Sequence, residues 1–278
     1  MVDSITSYRA AMNDAWPGWW VNWPLSRRVR VGDVFDTAGG TIRTAGDLAG
    51  RGIVAAITPS APPADFLYDS NGAARVDFKL AGATAQGFAA LTQADAGALV
   101  TFGRSSAVLA IFTGLTQAGL SDARSVAQGL VRRYWSGDWV DELVGVTDVI
   151  SASAGTLLTA ASADASAELR AAADVGSGAL ALADLAGRVA IARATRVGMQ
   201  WVGTDVTPFY QVFRLKKTWL AQIKADYGPR QPGKGAAPEP VPPLLVEEAA
   251  DDPGQVLEPA PVIDQPSLMP DEAGEPVR

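Results

Sequence analysis

The chain of 278 residues contains no cysteine and no histidine. Without cysteine it forms no disulfide, has no thiolate metal ligand and has no cysteine nucleophile. Without histidine it lacks the commonest general base, the commonest metal ligand and the usual partner of a nucleophilic serine. These absences disfavour most hydrolytic and metal-dependent chemistry, so we expect no cofactor, no bound metal and no catalytic residues.

Two kinds of hydrophobic segment are also missing. The residues from Met1 to Ser4 hold no basic region followed by an apolar core, so no signal peptide is predicted. No run reaches about eighteen uninterrupted apolar residues, the length that indicates a transmembrane helix. We therefore expect a cytoplasmic protein.

The net charge of −7 is unevenly distributed along the chain. From position 229 onward there are ten acidic residues and three basic ones, whereas residues 1–228 hold twenty of each. A neutral body has no net positive field to attract phosphates, so we expect no nucleic-acid partner.

The stretch 229–278 also differs in composition from the rest. It holds twelve of the eighteen prolines and few aromatic residues. Such a segment buries too little apolar surface to offset the entropy lost on ordering. The sequence therefore predicts an α+β domain at 1–228, followed by a disordered, acidic, proline-rich tail at 229–278.

The stretch 98–161 has the pattern of a core unit. Residues 99–112 are rich in β-branched and aromatic side chains and predict strand, with a bend in the middle. Ser121 is a helix-capping residue, and apolar positions at helical spacing predict a helix over 121–135. Residues 143–159 return to strand, either as one strand or as a hairpin.

The remaining segments extend this unit into a fold class. A short helix is predicted at 4–13, a strand at 76–80 and an alternating stretch at 188–202. A final strand at 209–215 leads into a helix at 216–226. Together these patterns predict an α+β fold with a twisted, mainly antiparallel sheet and flanking helices.

Half of the eight tryptophans fall within eight residues, and three arginines follow them closely. Tryptophan beside arginine suits a membrane–water interface with anionic head groups, or a partner surface. It equally suits a cap on the core with arginines stacked on the rings. A second basic patch occurs near position 215. The candidate contact residues are Trp16, Trp19, Trp20, Trp23, Arg27, Arg28, Arg30, Arg214, Lys216 and Lys217.

The densest carboxylates of the body are Asp138, Asp141 and Glu142. Paired carboxylates perform acid/base chemistry on glycosidic bonds. These three directly follow a helix stop, where solvated or capping acids are common. A carboxylate-dependent hydrolase is therefore the weaker functional alternative.

The order of features resembles the pore-forming domain of gasdermins of the bacterial type. A short helix and a basic strand open the chain, a strand pair spans 142–159, and the segment 207–215 reads Thr-Pro-Phe-Tyr-Gln-Val-Phe-Arg-Leu. The resemblance covers about 1–227. It implies a non-enzymatic pore former with an anionic membrane surface as partner, self-association on activation and a protease acting near the tail. Bacterial members often carry a lipidated cysteine near the start, which this chain lacks.

Two physical features agree with this hypothesis. Residues 76–87, 99–112 and 188–201 alternate in polarity over about ten residues, as strands that enter a membrane do. The tail is a removable element that could favour the soluble state until its release. The competing hypothesis is a soluble interaction protein of a larger assembly, with the surface of Trp16 to Trp23 as its contact and the tail as a tether.

Overall fold

The computed structural model describes residues 4–61, 63–172, 180–228 and 240–266. Within them the helices are α1 (Ser4–Ala15), α2 (Ala123–Trp135), α3 (Lys217–Tyr227), α4 (Pro243–Asp251) and α5 (Pro253–Val256). The strands are β1 (Trp20–Val21), β2 (Asp33–Asp36), β3 (Arg43–Asp47), β4 (Ile57–Ser60), β5 (Phe66–Asp69), β6 (Ala74–Lys79), β7 (Gly97–Phe102), β8 (Val108–Leu120), β9 (Leu143–Ala160), β10 (Ser166–Ala171), β11 (Val189–Thr195), β12 (Val197–Leu215) and β13 (Leu257–Pro259).

Three long strands, β8, β9 and β12, form the centre of the main sheet. Strand β9 pairs with β12 along one side and with β2 and then β8 along the other. Short strands extend the edges: β1 and β13 pair with β12, β3 with β2, and β4 and β5 with β8. All of these pairings are antiparallel. The stretch 143–159 is thus part of one long strand, and the predicted α+β class with a mainly antiparallel sheet is confirmed.

A second sheet, in the order β11-β10-β7-β6, packs on the face of the first. Val100 and Leu169 from this sheet share a buried cluster with Leu109 and Leu158 from β8 and β9. The predicted bend within 99–112 is the connection between the two sheets, since β7 belongs to one and β8 to the other.

Helices α2 and α3 cover part of the main sheet. Val126 and Leu130 of α2 and Trp219 of α3 lie in one buried cluster, as the helical spacing of apolar residues predicts. The cap of α2 is Asp122, one residue after the predicted Ser121, because the Asp122 side chain accepts a hydrogen bond from the Ser125 amide. In the described parts of the chain, no helix combines the length and the apolar character needed to cross a membrane.

The predicted disorder at 229–278 is wrong for residues 240–266, which we call the C-terminal segment. This segment forms α4, α5 and β13, and Leu245, Ala249 and Val256 are buried in the cluster of α2 and α3. A proline at the first position of each of its helices suits helix initiation. Tertiary burial of these few apolar residues offsets the ordering cost, which composition alone does not reveal. The rest of the predicted tail lies outside the described residues.

Candidate functional site

The aromatic–basic cluster, residues 16–30, runs from the end of α1 through β1 to the connection before β2. Proline at 17 and 24 prevents the helix from continuing, so the chain extends instead. Trp20 pairs with Tyr210 and Val21 with Phe209, which adds β1 to the edge of β12. The sheet edge therefore holds Trp20 in place.

The four tryptophans differ in exposure. Trp20 is buried, 1% exposed, and lies edge-on to Tyr210 with ring centroids 6.0 Å apart. Trp16 is partly buried and stacks on Phe209 at 5.0 Å, with 6° between the ring planes. Trp19 and Trp23 are also partly buried. The cluster thus extends the core, and three of its four tryptophans remain partly exposed. Its contact with a membrane or a partner stays a prediction.

Burial has an electrostatic consequence at Tyr210. Its side chain lies wholly inside the protein, and loss of hydration raises the pKa of Tyr210 to about 12. The phenol therefore stays neutral at physiological pH, so it adds no negative charge beneath the arginines.

The three arginines of the cluster have separate environments. Arg27 is partly buried, donates from Nε to Asn22 Oδ1 at 3.3 Å, and lies over the Phe35 ring at 5.5 Å. Arg28 is exposed and 3.6 Å from an Asp205 carboxylate oxygen, and Arg30 is exposed. The sequence interpretation places the arginines on the tryptophan rings, whereas Arg27 stacks on Phe35.

The second basic patch does not form one open surface. Arg214, with a side chain 16% exposed, donates to Glu258 at 2.7 Å and to Asp264 at 2.5 Å. Lys216 Nζ donates to a backbone carbonyl of the C-terminal segment at 3.2 Å. Lys217 is exposed at the start of α3. In this conformation the segment therefore covers two of the three predicted cations.

Helix α1 also binds the C-terminal segment. Arg9 donates to the backbone carbonyls of Val262, Gln265 and Pro266 at 3.3, 2.7 and 3.2 Å. Three carbonyl acceptors on one guanidinium fix the direction in which the segment leaves β13. Nothing in the sequence distinguishes Arg9 from other surface arginines, so sequence reasoning missed it.

Strand β1 is the third place where the segment is held. The Gln265 side chain accepts from the Val21 amide at 3.2 Å and donates to the Val21 carbonyl at 2.7 Å. The Trp20 indole N–H donates to the Ala260 carbonyl at 3.1 Å. Gln265 therefore acts as a one-residue strand partner for β1, a role that depends on a contact across 244 positions of sequence.

The candidate catalytic carboxylates lie on the surface in ion pairs. Asp138 is 3.2 Å from Arg133, and Asp141 is 2.7 Å from Lys224. The hydrogen bond from Lys224 to Asp141 raises the pKa of the lysine ammonium. Within the described ranges, no three or more acidic side chains are placed so that they could hold a metal ion together. These two ion pairs connect the loop between α2 and β9 to α2 through Arg133 and to α3 through Lys224.

A cavity of about 410 Å³ lies between the C-terminal segment and the main sheet. Its walls are mostly apolar, and come from the first turn of α2, the strands β9 and β12, and the segment itself. Its size falls in the range of small-molecule sites, about 300–1,000 Å³.

Comparison with known proteins yields a weak resemblance in fold. No family model matches the sequence, and no curated protein matches it either. Among solved structures, the chain is similar to a bacterial gasdermin from Bradyrhizobium tropiciagri. The similarity covers 78% of this chain and 88% of that one, with 11% sequence identity and a TM-score of 0.33. The resemblance is therefore weak and concerns the fold alone.

Proposed function

We propose that this is a non-enzymatic, membrane-active protein of the gasdermin-like kind, held soluble in the cytoplasm by its C-terminal segment. On release of the segment it binds anionic membranes, self-associates and forms a pore. The observation that carries the proposal is that the segment closes over Trp20 and Arg214, two of the residues predicted to contact a membrane.

The charge of the segment supports this role. Residues 240–266 contain six acidic residues and no basic ones. In the docked state, Glu258 and Asp264 neutralise Arg214, and the negative charge of the segment repels an anionic surface. Release removes these negative charges and leaves the guanidinium of Arg214 without its two carboxylate partners.

The exposed cations supply the first contact in this proposal. Arg28, Arg30 and Lys217 are exposed while the segment is docked. Weak binding through these three residues precedes release, and Trp20 together with Arg214 strengthens it afterwards. Indole rings with one polar edge suit the head-group region of a bilayer.

A cleavage experiment tests the proposal. A protease site is placed within 229–239, and the full chain is compared before and after cutting in a dye-release assay with phosphatidylglycerol-containing liposomes. We expect release by the cut chain only, falling with salt because exposed charges are screened within about 10 Å at 0.1 M. If the cut chain neither binds the liposomes nor releases the dye, the proposal is wrong.

A matched pair of charge reversals assigns the contact. Arg28→Glu with Arg30→Glu should abolish binding of the cut chain to anionic liposomes. Arg43→Glu with Arg193→Glu changes the net charge equally at two exposed arginines outside the cluster. Equal loss in both double variants would show that net charge, and not this surface, governs binding.

A further inference from the structure

The wall of the cavity beneath the C-terminal segment includes the carboxylate of Asp148. Asp148 lies in the middle of β9, opposite Gly119 of β8 and Gln211 of β12. Its side chain lines the cavity, is partly buried, and makes no hydrogen bond or ion pair within the part of the chain that the structure describes. A carboxylate between mostly apolar walls attracts a cation to the cavity.

The neighbouring residues leave room around this carboxylate. A Cβ at position 119 would overlap Asp148 Oδ1, so glycine there admits the acidic side chain. Gln211 also lines the cavity, but its amide donates to the Gly18 carbonyl at 3.3 Å and not to Asp148. The other carboxylate of the lining, Glu258, is already paired with Arg214.

The remaining walls suit an apolar body. Val126, Phe213 and Leu257 contribute aliphatic and aromatic surface from α2, β12 and β13. No lysine or arginine belongs to the described lining. The first turn of α2 borders the cavity, but Asp122 already caps it through the Ser125 amide. A negative site with mostly apolar walls favours an organic cation over an anion.

We propose that this cavity binds a small organic cation, with an ammonium group beside Asp148 and an apolar body between α2, β12 and the C-terminal segment. Because the segment forms part of the wall, the ligand binds only while the segment is docked. By linkage, a ligand at about a hundred times its dissociation constant shifts the release equilibrium about a hundredfold toward the docked state. This regulatory consequence rests on the proposed function, whereas the binding itself does not.

Calorimetry on the full chain tests the site with three probes that share one body. Hexylammonium, hexan-1-ol and heptanoate carry the same hexyl chain and differ only in the head group. We expect hexylammonium to bind at least tenfold more tightly than hexan-1-ol, and heptanoate to bind least. Equal affinities for the three probes on the unmodified chain would overturn the proposal.

Two variants locate the binding site. Asp148→Asn keeps the shape of the side chain and should remove the advantage of hexylammonium, while Asp205→Asn, on an exposed acid remote from the lining, should preserve it. If Asp148→Asn binds hexylammonium as tightly as the unmodified chain, the assignment of the binding site to Asp148 is wrong. Circular dichroism establishes that each variant is folded.

The regulatory step has a separate measurement. In the chain cut within 229–239, we expect hexylammonium to slow dissociation of the C-terminal segment, measured by size-exclusion chromatography. Unchanged dissociation despite binding would overturn the regulatory role. Neither measurement involves a membrane, so a failure here is distinguishable from a failure of the proposed membrane activity.

Discussion

Trp20 donates its indole N–H to the backbone carbonyl of Ala260 at 3.1 Å, and both residues are buried. The contact joins β1 to the C-terminal segment across 240 positions of sequence. Both parts pair with the same edge of strand β12, the one opposite β9: β1 pairs at Tyr210 and β13 at Phe213. Docking of the segment is therefore coupled to the aromatic–basic cluster, and changes on either side should alter it.

The first prediction concerns Gln265. Gln265→Ala removes both hydrogen bonds to Val21 and leaves buried backbone groups without partners, so we expect a loss of about 1–3 kcal/mol in the free energy of segment docking. Hydrogen exchange of the Val21 amide measures this directly. Gln255→Ala, at an exposed position of α5, is the control and should leave the exchange rate unchanged.

Arg214 provides the second prediction. Arg214→Met leaves Glu258 and Asp264 without their cation, and hydrogen bonds to charged groups contribute about 1.5–3 kcal/mol each. We expect weaker docking by about 1–3 kcal/mol in the cut chain, because the pairs are partly exposed and solvent screens them. Lys217→Met removes an exposed cation close by in sequence and should have little effect. Equal docking in both variants would contradict the role assigned to Arg214.

The third prediction tests the loop between β6 and β7. Glu168 is 5% exposed, and its carboxylate accepts hydrogen bonds from the amides of Ala89, Ala90 and Leu91 at 2.8, 2.7 and 3.2 Å. Glu168→Gln turns one acceptor into a donor that faces other donors. We expect a stability loss of about 2–3 kcal/mol in urea unfolding. It should be accompanied by faster proteolysis of this loop.

A control for this substitution is available on the surface. Glu142→Gln changes an exposed carboxylate and should alter urea stability by less than about 0.5 kcal/mol. If the two variants unfold at the same urea concentration, the buried carboxylate does not hold the loop.

The fourth prediction is a pH dependence at the start of α2. Hydrogen bonds from the Ser125 hydroxyl and then the Ser125 amide lower the pKa of Asp122. A carboxyl whose pKa is lower in the folded state stabilises the fold above its unfolded value of about 3.9 and loses that effect as pH falls through the folded value. The stability difference between the unmodified chain and Asp122→Asn should therefore be present at pH 7 and shrink below about pH 4.

Thermal unfolding at a series of pH values measures this difference. Ser125→Ala removes the largest cause of the lowered pKa, so its own stability deficit should likewise shrink in acid. A deficit of Asp122→Asn that stays constant from about pH 7 to about pH 3 would show that the charge of Asp122 does not act through the cap.

Local patterns were sufficient for much of the fold. The helix over 121–135 and the strands on either side follow from the spacing of apolar residues, which is a property of neighbouring positions. The alternating stretch 188–202 is a different case, since Arg196 adopts a positive φ of 55° and separates β11 from β12. An arginine at a turn of this kind carries no local signal, and only the pairing of both strands with their neighbours imposes it.

For the candidate site too, some features follow from the sequence alone and others depend on the tertiary structure. Composition by itself determined that tryptophan and arginine concentrate at 16–30, that the body is neutral and that the net negative charge lies after position 228. Tertiary structure alone decided that Trp20 is interior, that Arg214 is paired, and that residues 240–266 are folded. The reason is physical: each of these outcomes depends on contacts with residues far away in sequence, whose burial energy offsets the entropy of ordering and leaves no periodic trace in the chain.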